Sequence, residues 1–159
     1  MEKRPLYTIG HGRRTITELI ELLHTYQIRY LIDVRSIPYS RFNPQFNRNQ
    51  LQTALALQGI RYVFMGDSLG GRPSDPDCYQ TDGCVNYEVI SAKDSFKDSI
   101  RRLQKAYAQN VPLAIMCSES DPARCHRSKL IGAVLVQEQV IVHHIDEKGL
   151  IKEQMMGIV

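Results

Sequence analysis

Short apolar runs alternate along the chain with longer segments whose apolar residues recur three or four positions apart. An uninterrupted apolar run is typical of a buried strand, whereas the wider spacing places apolar side chains on one face of a helix. The strand-like runs are Leu6–Ile9, Tyr30–Arg35, Ile60–Met65, Val111–Met116 and Val140–Ile145. The helix-like segments between them are 16–23, 47–58, 95–107 and 128–135.

The regular alternation of strands and helices predicts an α/β fold. Crossovers between parallel strands are almost always right-handed, so helices cover both faces of the sheet and the strands end at one edge. We expect a single domain over residues 1–159, a three-layer α/β/α sandwich around a mostly parallel, Rossmann-like sheet of about five strands. The tail from Leu150 is a candidate for a short edge strand, and segment 73–86, rich in Pro and Asp, is predicted to be a loop insertion.

Composition and charge restrict the function only weakly. The 159 residues are 43% hydrophobic and 23% charged, which is ordinary for a globular domain, and the net charge of +3 alone does not argue for nucleic-acid binding. No apolar run approaches the roughly 18 residues of a membrane-spanning helix, so we expect no membrane partner. The chain also starts without a signal-peptide pattern. We therefore expect a cytoplasmic protein whose four cysteines are thiols, ligands or catalytic groups before structural disulfides.

The stretch 113–127 has the highest density of reactive side chains in the chain. From Cys117 onward, eleven residues hold two thiols, two carboxylates, two guanidiniums and an imidazole. Asp121 followed by Pro122 predicts a helix start, because Asp accepts unpaired amide hydrogens and Pro has none to leave unpaired. Cys117 is then expected at the end of a strand, and Cys125 in the first or second turn of the helix.

Polar residues follow the ends of all five predicted strands. Open parallel sheets bind ligands in the crevice at this edge, so we expect these residues to surround one functional site. They are His11, Asp33 with Arg35, Asp67 with Arg72, Cys117 with Glu119, and His143 or His144. Because glycines flank His11, we expect this side chain to serve function and not packing.

Five segments of the chain occur in a distinctive order and spacing. They are Ile9–His11, Asp33–Pro38 followed by Ser40–Arg41, Leu69–Gly71, Cys117–Glu119 and Cys125–Arg127. Together they resemble the signature of the bacterial and archaeal family known as domain of unknown function 488, over roughly residues 7–146. The resemblance implies a compact α/β domain and these motif positions, but it implies no particular reaction.

The two cysteines of the dense stretch have several interpretations. Cys125, with Arg124, His126 and Arg127 beside it, is a candidate nucleophile, because positive charge and a helix N-terminus favour the thiolate. Zinc binding by Cys117, Cys125 and His126, with His11 as a candidate fourth ligand, is an alternative, although the spacing lacks a typical zinc pattern. A redox role, in which the two thiols form and break a disulfide, is a third interpretation, and it requires Cα atoms within about 7 Å. Either cysteine alone is also compatible with a structural role.

Our leading hypothesis is a cysteine-dependent hydrolase or transferase that binds an anionic small molecule or nucleotide-like group at the carboxyl edge of the sheet. The alternatives are a zinc-binding domain and a nucleotide or nucleic-acid binding module without chemistry. In that module Tyr39, Arg41, Phe42 and Phe46 would stack on bases. The leading hypothesis includes no metal or cofactor, and the oligomeric state stays open. The candidate catalytic residues are Cys117, Glu119, Cys125, His126 and His11, and the candidate substrate-binding residues are Asp33, Arg35, Arg41, Arg127, Gly70 and Gly71.

Overall fold

The five predicted strands all form, and they lie side by side in one sheet. In the computed structural model, which describes residues 3–155, the strands are β1 Leu6–Gly10, β2 Tyr30–Asp33, β3 Arg61–Phe64, β4 Leu113–Cys117 and β5 Val142–Ile145. A sixth strand, β6 at Ile151–Glu153, pairs antiparallel with β5 at the edge. The order is β3-β2-β4-β1-β5-β6, and the other pairs are parallel. The mostly parallel α/β sheet is therefore confirmed, with six strands where about five were predicted.

Helices cover both faces of this sheet, as the sandwich prediction requires. They are α1 Ile16–Thr25, α2 Arg48–Leu57, α3 Gly66–Leu69, α4 Tyr87–Ala92, α5 Asp94–Ala108, and a helix that begins as a π-helix at Arg127–Gly132 and continues as α6 Ala133–Gln137. The sequence did not predict α3 and α4, because four and six residues are too few to show helical periodicity. No helix within residues 3–155 has both the length and the apolar composition needed to cross a membrane.

The buried apolar residues divide into two cores, one on each face of the sheet. On one face, Met116 and its neighbours pack against α1 and α2. On the other face, Ile115 packs with Phe96 of α5 and with the helix 127–137. Successive residues of a strand point to opposite faces. The central strand β4 is buried along its whole length, so Cys117 at its end has a fixed position.

Two helix starts differ in how their amide hydrogens are satisfied. The sequence Thr15-Ile-Thr-Glu18 has the spacing of a capping box, and the box forms, with hydrogen bonds of 3.0 Å and 2.8 Å in the two directions. Asn47 has the residue type of a helix cap and precedes α2, but its side chain accepts a hydrogen bond from the Ser40 amide at 2.6 Å and none from the helix. This hydrogen bond ties down the loop that follows β2 at the carboxyl edge.

The helix after β4 begins later than the sequence predicts. Asp121 does cap a turn, but the turn is a short 3-10 helix at Pro122–Arg124. Cys125 then returns to an extended conformation, with φ −119° and ψ 148°, and the helix starts at Arg127. The prediction that Cys125 lies inside the helix is therefore wrong. The break in the helix allows this side chain to turn back toward Cys117.

The segment 73–86 is less irregular than the predicted loop insertion. It contains a 3-10 turn at Pro76–Cys78 and an antiparallel bridge between Tyr79 and Val85. Cys78 is buried in the core that includes α5, whereas Cys84 is exposed. The segment thereby brings its last residues to the carboxyl edge of the sheet.

Candidate functional site

A cavity of about 580 Å³ opens at the carboxyl edge of the sheet. The neighbouring strands β1, β2 and β4 end here, and the loops that follow them form most of the wall. Seven of the eleven predicted site residues line the cavity: His11, Arg35, Gly71, Cys117, Glu119, Cys125 and His126. The rest of the wall consists of Ser36, Ile37, Tyr39, Ser40, Arg72, Val85, Tyr87, Ser118 and Arg124. Segments far apart in the sequence therefore meet around one space.

A buried carboxylate holds Arg35 in place on the cavity wall. Asp33 is fully buried and accepts hydrogen bonds from Arg35 Nε at 2.9 Å and from Nη2 at 2.8 Å. It also accepts one from the Arg35 amide at 3.1 Å, while Nη2 donates to the Phe46 carbonyl at 2.8 Å. This bidentate pair fixes the plane of the guanidinium. Its remaining nitrogen, Nη1, lies toward His11.

Tyr62 supplies a fourth donor to the same carboxylate. Its hydroxyl donates to Asp33 Oδ2 at 2.5 Å. Burial is the main cause that raises the pKa of Tyr62, and the hydrogen bond to Asp33 adds to it. Asp33 is thus fully engaged behind Arg35 and does not line the cavity. We assign it a positioning role in place of the predicted contact with substrate.

His11 is a neutral hydrogen-bond acceptor beside Arg35. Its Nδ1 lies 2.9 Å from the Gly12 carbonyl, which can only accept, so Nδ1 carries the hydrogen. Nε2 then accepts from Arg35 Nη1 at 3.4 Å, and the ring stacks on Phe46 with centroids 4.5 Å apart. Burial, with a smaller contribution from Arg35, lowers the pKa of His11 to about 4. At neutral pH the ring is therefore uncharged, and its Nε2 is a hydrogen-bond acceptor.

The loop after β1 lies directly on the loop after β4. The His11 amide donates to the Cys117 carbonyl at 2.9 Å, and the next amide along continues the parallel hydrogen-bond pattern beyond the strands. A Cβ atom at Gly10 would overlap the carbonyl group of Glu119. Only glycine allows this approach, which fixes His11 relative to the two thiols.

Cys117 and Cys125 are paired as a disulfide at the cavity wall, so the expectation of free thiols is not met here. Their Cα atoms lie 7.4 Å apart, slightly beyond the limit of about 7 Å stated above. The surroundings of the two sulfurs differ. Cys117 Sγ lies 3.4 Å from the Glu119 carbonyl, to which a thiol at this position would donate, whereas Cys125 Sγ accepts from the Arg127 amide at 3.5 Å. In the dithiol form, a carbonyl favours the protonated sulfur of Cys117, and an amide donor favours the thiolate of Cys125.

His126 lies next to Cys125 with one ring nitrogen directed at the sulfur. Its Nε2 is 3.1 Å from the Val34 carbonyl, so this nitrogen carries a hydrogen, and Nδ1 is 3.5 Å from Cys125 Sγ. Burial lowers the pKa of His126, while the carbonyls of Val34 and Leu69 act in the opposite direction. A Cβ atom at Gly71 would lie 2.8 Å from His126 Cγ. Glycine at this position therefore makes room for the ring.

Arg127 is fully buried and does not line the cavity, contrary to the prediction that it binds substrate. Its Nη1 donates to Thr8 Oγ1 at 2.8 Å, and Nη2 donates to the carbonyls of Ser120 at 2.9 Å and Glu119 at 3.4 Å. Burial lowers the pKa of Arg127 to about 10, so it stays charged at neutral pH. The first turn of the helix faces the sheet, and for this reason Arg127 holds the loop after β4 instead of a ligand.

Two more predicted residues lie away from the cavity wall. Gly70 packs against Ser36, where a Cβ atom would overlap the serine hydroxyl. Arg41 is exposed, with its guanidinium 5.7 Å from the centroid of the Phe42 ring. Gly70 therefore shapes the loop beside the cavity, and Arg41 belongs to the outer surface.

The expectation that Phe46 stacks on bases is wrong, because this side chain is fully buried beneath His11. Of the two candidates on β5, His144 is buried and lies 2.6 Å from Thr8 Oγ1 and 2.5 Å from Gln154 Oε1. Neither His143 nor His144 lines the cavity.

Arg72, which was expected at this edge, lines the wall, whereas Ser36 was absent from the predicted site residues. The Arg72 amide donates to Ser36 Oγ at 2.8 Å. Ser36 lies inside the motif Asp33–Pro38 at the end of β2, which is a signal for its position. Tyr87 carried no such signal, because it reaches the cavity only through the fold of the preceding segment 73–86.

The cavity wall carries an excess of positive charge. Arg35, Arg72 and Arg124 face a single carboxylate, Glu119, whose Oε1 accepts a hydrogen bond from the Asp121 amide at 3.0 Å. A second cavity of about 640 Å³ adjoins the first and shares four wall residues with it, among them Glu119. Within residues 3–155, no group of three or more His, Cys, Asp or Glu side chains is arranged to hold a metal ion. Three guanidiniums and one carboxylate therefore share the cavity wall with the two sulfurs.

Comparison with known proteins assigns the chain to a family. The family described as Domain of unknown function DUF488 matches residues 15–134. The chain therefore belongs to this family, as the resemblance implied. The match contains the motifs after β2 and β4 but begins after His11, so it is shorter than the predicted range 7–146. No curated protein and no solved structure matches the chain.

Proposed function

We propose that this member of the DUF488 family is an enzyme in which the Cys125 thiolate attacks an anionic small molecule bound in the cavity. One observation carries the proposal: Cys125 Sγ lies 3.5 Å from His126 Nδ1, while the Val34 carbonyl fixes the other ring nitrogen at 3.1 Å. A nucleophile, a base and a group that orients the base are the three components of an activated thiol.

Positive charge and amide donors support the reactivity of Cys125. Its sulfur accepts the Arg127 amide at the start of the helix, and Arg124 is on the same cavity wall. Both features favour a thiolate over a thiol. A reducing compartment such as the cytoplasm is part of the proposal, because both thiols persist there.

The charge of the wall supports an anionic substrate. Arg35 shares its charge with Asp33, so the net attraction comes chiefly from Arg72 and Arg124. A carboxylate or phosphate group close to Arg35 Nη1 would receive a fixed donor without any rearrangement of the guanidinium. A volume of about 580 Å³ is within the usual range for small-molecule and nucleotide sites.

The proposed reaction is hydrolysis or group transfer through a covalent intermediate. Cys125 Sγ forms a bond to the electrophilic centre of the substrate as the leaving group departs, and His126 supplies the proton that the leaving group takes up. Water or an acceptor then displaces the sulfur, with His126 or Glu119 accepting a proton from it. His11 orients the Arg35 guanidinium through Nε2, because its pKa of about 4 leaves this nitrogen free of a proton at neutral pH.

A pair of matched alkylating reagents tests the anion site beside the thiol. Iodoacetate and iodoacetamide have nearly the same size and differ in charge, and Cys84 is an exposed thiol in the same protein that serves as internal reference. We expect Cys125 to favour iodoacetate over iodoacetamide several-fold relative to Cys84, measured by peptide mass spectrometry. Arg72→Gln and Arg124→Gln should each reduce this preference, whereas the exposed Arg41→Gln should not.

The catalytic step needs a separate measurement. Chromogenic aryl esters that carry a carboxylate should turn over faster than neutral esters of the same size, and Cys125→Ser should remove this activity. Turnover that persists in Cys125→Ser would overturn the assignment of the nucleophile. An alkylation preference that is the same in wild type and in both cavity arginine variants would overturn the anionic substrate.

A further inference from the structure

We infer a second activity from the contact between the two thiols: Cys117 resolves sulfur-bound intermediates on Cys125, and the dithiol reduces small neutral disulfides. This inference shares with the proposed function only the nucleophilic sulfur of Cys125. It requires neither an anionic substrate nor hydrolysis, so the two can fail independently.

The position of Cys117 is the first observation behind it. The sulfurs of Cys117 and Cys125 touch, and both residues line the same cavity. Hydrolysis through Cys125 has no use for a second thiol in contact with the nucleophile. Such a thiol is suited to attack a sulfur atom bound to Cys125, because it needs no approach from outside.

The asymmetry of the two sulfurs is the second observation. Cys117 Sγ donates to the Glu119 carbonyl, and Cys125 Sγ accepts from the Arg127 amide and lies near His126. The first arrangement retains a thiol hydrogen, and the second favours the thiolate that attacks first. Disulfide exchange between two protein thiols needs this division into an attacking sulfur and a resolving sulfur.

Cys78 shows what a structural cysteine looks like in the same protein. It is buried among apolar side chains near α5, and burial raises the pKa of its thiol. It is not paired with another cysteine. Cys117 is equally buried, at 2% exposure, but its sulfur contacts another sulfur at a cavity wall. Packing alone therefore does not account for its position.

The exchange conserves atoms and electrons. Cys125 thiolate attacks one sulfur of a disulfide, the disulfide bond breaks, and one thiolate leaves while a mixed disulfide forms on Cys125. Cys117 then loses its proton and attacks Cys125 Sγ, which releases the second thiolate and leaves a Cys117–Cys125 disulfide. Two electrons pass from the protein dithiol to the substrate. The proton that Cys125 gave up in forming the thiolate and the proton of Cys117 are taken up by the two released thiolates.

Hydroxyethyl disulfide, which is small and neutral, is a suitable probe, and Cys84→Ser removes the exposed competing thiol. In this background, the reduced protein should lose two hydrogens and retain no adduct, as measured by intact mass and by mapping of the linked peptides. With Cys117→Ser added, a stable hydroxyethylthio adduct should accumulate on Cys125. With Cys125→Ser added, the reaction should slow by roughly tenfold or more.

Three outcomes would overturn the inference. They are an adduct on Cys125 that persists when Cys117 is present, no reaction of the folded protein with the probe, and equal rates with and without Cys125. Alkylation of Cys125 with the expected charge preference, but without formation of the internal disulfide, would retain the proposed function and reject only the disulfide reductase. Circular dichroism of each variant shows whether a negative result reflects loss of the fold.

Discussion

Replacing Asp33 by Asn removes the charge that balances Arg35 in the interior. Both side chains are buried, with 0% of Asp33 and 5% of Arg35 exposed. The carboxylate accepts three hydrogen bonds from Arg35 and one from Tyr62. An amide of the same shape offers one accepting oxygen and turns an NH2 group toward donors that lose this acceptor.

The expected cost of Asp33→Asn is about 3–5 kcal/mol of unfolding free energy, because the Arg35 guanidinium stays buried without its partner. Domains of ordinary stability have about 5–15 kcal/mol in total. With a urea slope of about 2 kcal/mol/M, the unfolding midpoint should fall by roughly 2 M. Tyr62→Phe removes one hydrogen bond from the same carboxylate and should cost only about 1–2 kcal/mol.

Urea unfolding followed by circular dichroism, under constant reducing conditions, measures these differences. Asp33→Asn combined with Arg35→Met removes the unpaired charge, so this double variant should be more stable than Asp33→Asn alone. Asp98→Asn breaks an exposed ion pair with Arg101 and should leave the midpoint unchanged. A loss of less than about 1 kcal/mol in Asp33→Asn, or a double variant no more stable than the single one, would refute the reasoning.

Two further predictions concern two buried histidines, His11 and His144, and Gly71 beside the ring of His126. Burial lowers the pKa of His11 and of His144 to about 4, so both bind protons on unfolding between about pH 4 and pH 6.5. The contribution of these two histidines to the unfolding free energy should therefore be complete above about pH 6.5 and be lost as the pH drops toward 4. Near pH 5 the unfolding free energy should fall by on the order of 2 kcal/mol per pH unit. His144→Gln should reduce this slope by about half, as measured by urea titrations at several pH values. Gly71→Ala should displace the imidazole ring of His126 and slow iodoacetamide labelling of Cys125. Gly59 has a positive φ and open space around it, so Gly59→Ala should cost about 1 kcal/mol of stability and leave the labelling of Cys125 unchanged. Equal labelling in both glycine variants, or an unchanged slope in His144→Gln, would contradict these two predictions.

The strands and the longer helices could be predicted from the sequence because burial leaves a direct pattern. The run that becomes β4 has almost no polar residues, since it is covered on both sides by helices. The short helices α3 and α4 leave no such pattern, because four and six residues are too few to show helical periodicity. The start of the helix at Arg127 was also missed, because the sequence contains a good capping pair that forms only a single turn at Pro122–Arg124.

The sequence located the candidate site, but it did not show which side chains line the cavity and which lie behind its wall. Residues at the ends of β1, β2 and β4 converge because the carboxyl ends of parallel strands lie at the same edge of the sheet. Predicting this convergence required only the order of strands and helices along the chain. Whether an arginine faces the cavity or the interior depends on the direction of its side chain, which the local backbone conformation determines. Arg35 is at the cavity wall and Arg127 is behind it, although both follow motif residues in the sequence.

The buried position of Arg127 is important for the reaction that we propose at Cys125. Its nearest partners are neutral oxygens, of Thr8, Ser120 and others, and no carboxylate within the described residues forms an ion pair with it. A direct carboxylate partner would have cancelled its charge locally. Because that charge is not cancelled by contact, and because water is excluded, its field extends to the loop that holds the two sulfurs. One residue can therefore fix the loop through the carbonyl hydrogen bonds of its guanidinium, while its amide and its charge favour the Cys125 thiolate that we propose as the nucleophile.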